Sequence, residues 1–250
     1  NDYQSYRYDC GGSISKDDVR ITCYGGEVHG HVNLEESFVH SCNGAYAKIG
    51  MDLDDGDFRK LCEEFQFNTS LPIELPSAKS LFTLDKGASY GEEMMTAIGQ
   101  GNTVASPLQM ALITATVANG GSMMRPYFID HIETYDGNMV KQNKPTVYKE
   151  LMSADEAGIL RGFMEKTVEE GTASALSGQS YSAAGKTGSA EYETGSGKET
   201  HSWFVGYTNV NDPELAIAVI AENGGSGSSA AVPIAKQIFD AYYNNYYSGY

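Results

Sequence analysis

The stretch SPLQMALITATVANGG, residues 106–121, constrains the fold more than any other part of the chain. Ser106 suits a helix cap, Pro107 suits the first helical position, and Gln109 completes a capping box. Asn119-Gly120-Gly121 provides the stop signal at the other end. Almost every residue between these caps is apolar. Because a helix that is apolar on all sides must be shielded from water, the sequence predicts a buried helix here.

The first third of the chain is predicted to be helical. Asn33 is a helix cap, with Glu36 three residues later to complete a capping box. The polar residues Ser41, Asn43 and Gly44 then interrupt the apolar face before it resumes, which predicts a polar turn between two helices. A third helix follows from apolar residues at helical spacing, namely Phe58, Leu61, Cys62 and Phe65.

The pattern changes after residue 125. Residues 125–140 suggest two short strands joined at Asp136-Gly137, a dipeptide typical of hairpin turns. Residues 153–171 predict an amphipathic helix, with Ser153 and Glu156 as its capping box and Gly171 at its stop.

Three strand candidates follow, at residues 181–192, 200–210 and 214–222. The segment ENGGSGSS, residues 222–229, is predicted to be a flexible loop, and residues 230–247 a closing helix. The tyrosine-rich end, residues 242–250, is predicted to be a frayed tail without a function.

These elements predict a mixed α/β fold of the α+β type, in which helices sandwich an antiparallel sheet and an all-helical subdomain is attached. We place the mainly helical part at residues 1–122 and the α/β part, which carries the strands, at residues 123–250.

The charge of the chain excludes several partners. A formal net charge of −16 repels phosphate backbones and anionic headgroups, so we expect no nucleic acid partner. No stretch approaches about 18 consecutive apolar residues, and the N-terminus has no apolar core of a signal peptide. We therefore expect any membrane anchor to lie outside this sequence.

The four cysteines are Cys10, Cys23, Cys42 and Cys62. They lack the paired C-x-x-C spacing of zinc sites, which argues against a metal, and we expect no cofactor. Cys10 and Cys23 bracket a short glycine-containing segment, so they could form a disulfide in an oxidising compartment. The alternative is two half-buried thiols, and spacing alone does not decide between them.

The most unusual polar cluster lies in AAGKTGSAEY, residues 183–192. Gly188 would let a ligand lie directly against the strand. Lys186 carries the only positive charge in this segment. An exposed strand edge offers free N–H groups to an extended peptide, and the hydroxyls of Thr187 and Ser189 beside an ammonium suit a terminal carboxylate. Taken alone, the triplet is also compatible with an exposed strand that contains a turn glycine.

Other motifs accompany this triplet in a fixed order. The chain contains HGHVNLEESFVHSCN, with Ser41-Cys42-Asn43 as a Ser-x-Asn motif, then IGQG, SPLQMA, VANGG, EEGTA, AAGKTGSA and WFVGY. Along nearly its whole length the chain resembles the transpeptidase domain of the class B penicillin-binding proteins, the D,D-transpeptidases that cross-link peptidoglycan.

The resemblance implies roles for six residues. Ser41 would relay a proton towards the departing amine, with Lys186 activating it, and Asn43 would hydrogen-bond the substrate amide. Thr187 and Ser189 would hold the terminal carboxylate, next to Gly188, and the Ser189 N–H would supply an oxyanion-hole donor. The substrates would be D-Ala-D-Ala stem peptides, and β-lactams would mimic them. His29 is assigned a structural role instead, and Trp203 is predicted to pack in the core behind the motif strand.

One family feature has no clear counterpart. The family's nucleophile lies in a Ser-x-x-Lys motif at the start of a buried helix upstream of Ser-x-Asn. The formal match SISK, Ser13 to Lys16, precedes a polar and then strand-like segment, so we reject Ser13 as the nucleophile. The sequence thus predicts an incomplete domain whose nucleophile segment lies elsewhere, with an exposed apolar surface and an unpaired sheet edge in its place.

The resemblance also implies a setting. We expect the protein at the extracytoplasmic face of a bacterial membrane, anchored by an N-terminal segment absent from this chain, with division or elongation proteins as further partners. Two alternatives stay open. One is a β-lactam sensor or β-lactamase-like protein, and the other is a catalytically silent scaffold of the cell-wall machinery.

Overall fold

The computed structural model describes residues 3–195 and 197–245. The N-terminal half contains β1 (Tyr8–Cys10), β2 (Ser13–Lys16), β3 (Val19–Thr22), β4 (Gly30–Val32), α1 (Leu34–Val39), α2 (Asn43–Asp52), α3 (Asp55–Glu64), α4 (Tyr90–Ala97) and α5 (Pro107–Ala118). The C-terminal half contains β5 (Ser122–Met124), β6 (His131–Glu133), β7 (Met139–Gln142), β8 (Val147–Glu150), α6 (Ala154–Glu169), β9 (Ala183–Thr194), β10 (Gly197–Thr208), β11 (Leu215–Ala221) and α7 (Ala231–Asn245). Most of the tyrosine-rich tail, residues 246–250, lies outside the described residues.

The central sheet is antiparallel, with the strand order β11-β10-β9. Side chains alternate between its two faces. On one face, Phe204 and Val219 pack against α7, where Phe239 is buried with them. On the other face, Ala184 and Tyr207 pack with residues of α5 and α6. Helices therefore cover both faces of an antiparallel sheet, which confirms the predicted fold class.

The helix predicted from residues 106–121 forms with the expected N-cap and stop, but the capping box is incomplete, because the Gln109 side chain donates to the carbonyl of Phe65. Ser106 accepts a hydrogen bond from the Gln109 N–H, and the Gly121 N–H donates to the carbonyl of Thr116. Its burial differs from the prediction. The fully buried positions include Gln109, Thr114 and Thr116, while several apolar positions are only half-buried. The threonine hydroxyls donate to carbonyls four residues earlier, which allows polar residues to face the interior.

The predicted helical character of the first third is wrong for residues 8–32. This segment forms two small two-stranded sheets, β2 with β3 and β1 with β4. The β2-β3 hairpin confirms that SISK does not begin a helix. From residue 33 onward the prediction holds, because Asn33 and Glu36 form a complete capping box at the start of α1.

One region of the sheet is incompletely covered. Among the described strands, β9 pairs only with β10, so its other edge has no strand partner. On the α5 side a cavity of 710 Å³ is lined by apolar side chains from several elements, including Phe58, Phe82, Met110, Trp203 and Val205. Trp203 is therefore half-buried at a cavity wall instead of being packed in the core. No helix in the described ranges has the length and apolar character needed to cross a bilayer.

Candidate active site

Ser41 lies in the turn that ends α1. Its N–H donates to the carbonyl of Phe38 at 3.1 Å, and the N–H of Cys42 donates to the carbonyl of Ser37 at 2.8 Å. These two bonds form a Schellman motif, whose left-handed position is usually glycine. Here Ser41 occupies that position with a φ of 55°. Ser41 thus has a side chain at a position where the backbone conformation favours glycine. This indicates that the Ser41 hydroxyl has a function.

The Ser41 hydroxyl meets the lysine of the K-T-G triplet. Lys186 Nζ lies 2.8 Å from Ser41 Oγ and 3.1 Å from the carbonyl oxygen of Thr187. It also lies 5.6 Å from the centre of the Phe38 ring. Burial of the amino group lowers the pKa of Lys186 to about 8. An amine with this pKa exchanges protons readily near neutral pH.

Asn43 begins α2, two residues after Ser41. Its side-chain Nδ2 donates to the carbonyl of Thr22, at the end of β3, over 2.9 Å. This bond fixes the amide and, among the described residues, leaves the side-chain oxygen without a donor. The polar turn predicted between two helices is therefore held from one side by Lys186 and from the other by the N-terminal hairpin.

The K-T-G triplet lies in β9, where Lys186 is opposite Val205 and Gly188 is opposite Trp203. Gly185 is required for packing, because a Cβ there would lie 2.4 Å from the Phe204 ring.

The Gln100 side chain donates to the Ser189 carbonyl at 3.1 Å. In an antiparallel strand the N–H and C=O of one residue point to the same side, so the Ser189 N–H also faces the unpaired edge.

All six residues predicted from the sequence line one cavity of 540 Å³: Ser41, Asn43, Lys186, Thr187, Gly188 and Ser189. Among them, Ser41 and Lys186 are 145 residues apart in the chain. The cleft therefore combines an amine with a lowered pKa, several hydroxyls and an open strand edge. Such a set can bind an extended peptide and move a proton to or from it.

Three further groups support this cleft and were not assigned from the sequence. The Thr172 hydroxyl lies 2.6 Å from the Thr187 hydroxyl, and Gln100 contacts Ser189 as described. Thr172 belongs to the motif EEGTA and Gln100 to the motif IGQG, and these motifs were the sequence signal that could have identified the two residues. The third group is Gly227, whose N–H donates to Ser189 Oγ at 3.2 Å.

Gly227 belongs to the segment predicted to be a flexible loop. In the structure this segment is instead hydrogen-bonded to the central sheet. Ser202 Oγ donates to the carbonyl of Ser226 at 2.6 Å and accepts from the N–H of Ala231 at 2.9 Å. Because Ser202 is fully buried, these bonds close the turn from inside the protein. Residues 226–228 consequently form a wall of the cleft.

The three N-terminal cysteines do not lie apart. Cys10, Cys23 and Cys42 are buried in one cluster, and their thiols are free. The Cys10 and Cys23 sulfurs are 3.6 Å apart, so of the two alternatives the structure shows thiols, fully buried and in contact. The three cysteines lack zinc-site spacing along the chain, but the fold brings them together from separate segments.

Ser41→Gly separates the backbone cost of this residue from its chemical role. A left-handed φ costs a residue with a Cβ about 1–2 kcal/mol. We expect Ser41→Gly to raise the free energy of unfolding by up to about 1 kcal/mol and Ser41→Ala to leave it unchanged or lower it, while both remove the hydroxyl that Lys186 contacts. Chemical denaturation of the three proteins measures the backbone effect. A Ser41→Gly protein less stable than Ser41→Ala contradicts the assigned backbone strain.

Comparison with known proteins supports the family indicated by this geometry. The family model of the penicillin-binding protein transpeptidase domain matches residues 4–240. Peptidoglycan D,D-transpeptidase PbpA of Mycobacterium tuberculosis is 31% identical over 237 residues, which is 89% of this chain and 47% of that protein. Peptidoglycan D,D-transpeptidase MrdA of Acinetobacter baumannii is 30% identical over 234 residues, 85% of this chain and 34% of that protein.

Solved structures of penicillin-binding proteins also resemble this chain. A ceftriaxone acyl-enzyme complex of penicillin-binding protein A from M. tuberculosis has a TM-score of 0.85 at 27% identity, covering 95% of this chain and 56% of that one. The D,D-transpeptidase domain of a peptidoglycan glycosyltransferase from Eggerthella lenta shares the fold with a TM-score of 0.84 at 23% identity, covering 97% of this chain and 61% of that one. The chain spans less than half of the length of the curated relatives named above. It belongs to the family of penicillin-binding protein transpeptidase domains.

Proposed function

We propose that this protein is a peptidoglycan D,D-transpeptidase that acts through a serine acyl-enzyme and is acylated by β-lactams. The observation that carries the proposal is the 2.8 Å contact between Lys186 Nζ and Ser41 Oγ, inside a cleft bounded by an unpaired strand edge. The relatives named as D,D-transpeptidases and the acyl-enzyme structure of the M. tuberculosis protein support it.

Substrate binding follows from the edge of β9. An extended stem peptide would pair with this edge as an added strand and place its terminal carboxylate among the hydroxyls of Thr187 and Ser189. The Lys186 ammonium supplies a positive charge in a protein whose net charge is −16. The outward N–H of Ser189 is suited to stabilise the oxyanion, and the loss of such a donor typically costs about 2.7–4 kcal/mol.

Proton transfer follows from the direction of the hydrogen bonds. When protonated, Lys186 donates to Ser41 Oγ, so the Ser41 hydroxyl can donate its own proton into the cleft. Acylation forms a bond between the attacking serine oxygen and the penultimate D-Ala carbonyl carbon and breaks the peptide C–N bond. The proton of the attacking hydroxyl would pass to the lysine of its own Ser-x-x-Lys motif. Ser41 would give a proton to the departing nitrogen and be reprotonated by Lys186. Asn43 would hold the substrate amide through its side-chain oxygen.

We propose that the attacking serine lies outside residues 1–250. Ser13 belongs to β2, and its hydroxyl accepts a hydrogen bond from the Arg20 guanidinium at 3.0 Å. A hydroxyl on a partly exposed hairpin, paired with an arginine, lacks the buried helix start that the family's nucleophile uses. The 710 Å³ cavity beside Trp203 and Met110 offers apolar cover for such a helix.

We further propose an extracytoplasmic location at the bacterial membrane, with peptidoglycan stem peptides as substrates. Division or elongation proteins remain the predicted partners. These proposals follow from the activity, because peptidoglycan cross-links form outside the cytoplasm.

The test is acylation by a labelled penicillin, followed by intact mass and peptide mapping. Protein expressed from its complete gene should gain one β-lactam mass on a serine outside residues 1–250, while residues 1–250 alone should gain none. A stoichiometric adduct on Ser13 would overturn the assignment of the nucleophile. Absence of an adduct on the complete, folded protein would favour the silent scaffold.

The pH dependence of acylation tests the proton path. The pKa of Lys186 is lowered to about 8, so the ammonium predominates below pH 8 and the neutral amine above it. Because the proposed path needs the ammonium, we expect the acylation rate to fall as pH rises through about 8. A Lys186→Arg protein should lose this descending limb, since a guanidinium stays charged. Stopped-flow acylation across this range measures it, and a rate that rises through pH 8 contradicts the path.

A further inference from the structure

A second cavity opens from the side of the cleft, and we call it the side pocket. Its volume is 420 Å³. Five residues line both the cleft and the side pocket, namely Thr22, Asn43, Ile98, Gln100 and Glu191. Beyond these shared residues, its lining includes Arg20 on β3 and Glu193 on β9. A molecule bound in the cleft can therefore extend into the side pocket.

The free edge of β9 fixes the direction in which a stem peptide runs. Towards the start of this strand, residues 183–185 are buried, and α6 packs against them. Residues 190–194, by contrast, are exposed or half-buried. A peptide whose terminal carboxylate lies at Thr187 and Ser189 must therefore continue along the second of these segments, antiparallel to β9.

The register of this pairing brings one side chain of the peptide to the side pocket. The third residue counted from the carboxylate is two steps of an extended strand, or about 7 Å, from the first. The same step along β9 leads from Ser189 to Glu191, which lines both cavities. This third residue directly precedes the D-Ala-D-Ala end. Its side chain is thus the first one in which stem peptides with that end can differ.

Part of the side pocket is apolar. Met95 of α4 and Ile98, which ends that helix, line it and pack with Ile21 of β3 in one hydrophobic cluster. Apolar surface of this kind is stabilised when methylene groups cover it. A long aliphatic side chain with a polar end is therefore a better match for the side pocket than a short polar one.

The charged groups of the side pocket have opposite signs on its two sides. On the β9 side, Glu191 and Glu193 share one partner, Lys198, whose Nζ lies 3.6 Å and 3.9 Å from their carboxylates. One negative charge is therefore left over on this side. On the hairpin side, the Arg20 guanidinium donates to Ser13 Oγ at 3.0 Å and forms no ion pair with the described residues. A ligand with one positive and one negative charge is complementary to both sides.

We propose that the side pocket selects stem peptides whose third residue from the carboxylate is a diamino dicarboxylic acid, with a side chain that ends in both an ammonium and a carboxylate group. The ammonium would lie at the Glu191 and Glu193 carboxylates. The carboxylate would accept two N–H bonds from the planar Arg20 guanidinium. A lysine at this place in the peptide would leave Arg20 without an anion. The inference rests on the proposed function and names which D-Ala-D-Ala peptides are the substrates.

The test uses three β-lactams that share one ring system and differ only in the acyl side chain. A 6-amino-6-carboxyhexanoyl chain ends in both charges, a 6-aminohexanoyl chain in an ammonium alone, and a 6-carboxyhexanoyl chain in a carboxylate alone. The second-order rate constant of acylation is measured on protein expressed from its complete gene. Because only the first chain satisfies both sides of the side pocket, we expect it to react about tenfold faster than either of the others.

Variants of the β2-β3 hairpin identify the residue that reads the carboxylate. Arg20→Gln should reduce the ratio between the first and second β-lactams to within about twofold, while Arg20→Lys should keep part of it, since a single ammonium replaces the bidentate guanidinium. The matched control is Lys16→Gln, which removes the same charge from the same hairpin. Lys16 lies 4.5 Å from the centre of the Tyr90 ring and is not among the described residues that line the side pocket, so this variant should keep the full ratio.

Each result is a ratio measured on one protein, so a general loss of stability or activity cancels. Equal rates for the three β-lactams, or a preference for a chain with one charge, would overturn the inference and leave the proposed function in place. A ratio that is unchanged in Arg20→Gln would also overturn it. If none of the three acylates the complete protein, the proposed function fails, and the inference fails with it.

Discussion

Lys186→Ala is expected to lower the rate of β-lactam acylation by about 10²–10⁴-fold without unfolding the protein. The loss is large because the substitution removes both the proposed proton source for Ser41 and the positive charge beside the proposed carboxylate subsite. The fold should survive, since the lowered pKa shows that the buried ammonium opposes folding instead of supporting it.

The control for this experiment is Lys198→Ala. Lys198 lies on the adjoining strand β10 and is 65% exposed, and its ion pairs among the described residues are with surface carboxylates, such as Glu191 at 3.6 Å. Surface pairs of this kind contribute little, so this variant should acylate at the unaltered rate. The measurement is the second-order rate constant for a labelled penicillin, with a thermal melt of each protein. Equal rates for the two variants would remove Lys186 from the mechanism.

Gly227→Ala is expected to reduce acylation at least tenfold and to destabilise the protein by about 1–3 kcal/mol. A Cβ at this position would lie 2.7 Å from Thr187 Cβ, 2.7 Å from the Trp203 carbonyl oxygen and 2.9 Å from the Gly188 nitrogen. Two of these atoms are backbone and cannot rotate away. The loop must therefore move, and the hydrogen bond from Gly227 to Ser189 Oγ would be lost.

Gly162→Ala is the matched control for that substitution. Gly162 lies in α6, and a Cβ there has nothing within 4 Å. Because alanine lowers the entropy cost of helix formation, this variant should gain roughly 0.5–1 kcal/mol and acylate normally. Denaturant unfolding and acylation kinetics measure both proteins. If Gly227→Ala behaves like Gly162→Ala, the loop does not shape the cleft.

Local signals were the most readily predicted part of the fold. The caps at Ser106 and Asn33 formed as expected, because a cap is decided by three or four neighbouring residues. Neighbouring residues also predicted the turn at Ser41, but they did not predict its left-handed backbone conformation. Nothing in the sequence around it identifies serine as the residue that replaces the usual glycine.

Long-range relations were predicted less well. The first third was expected to be mainly helical, although the segment after SISK was described as strand-like, because the strands within residues 8–32 are only three or four residues long, too short for a clear alternation. The convergence of Cys10, Cys23 and Cys42 depends on how β1, β3 and α2 pack, and spacing rules apply only when ligands lie in one local motif. Ser41 and Lys186 were placed together only through the family resemblance, since 145 residues separate them.

The structure of a β-lactam adduct of the protein expressed from its complete gene tests the central claim most directly. We expect the adduct in the cleft between α2 and β9, with its carboxylate bonded to the hydroxyls of Thr187 and Ser189 and its carbonyl oxygen facing the Ser189 N–H. Lys186 Nζ should remain bonded to Ser41 Oγ. An adduct attached at another surface, with these groups bound only to water, would contradict the account.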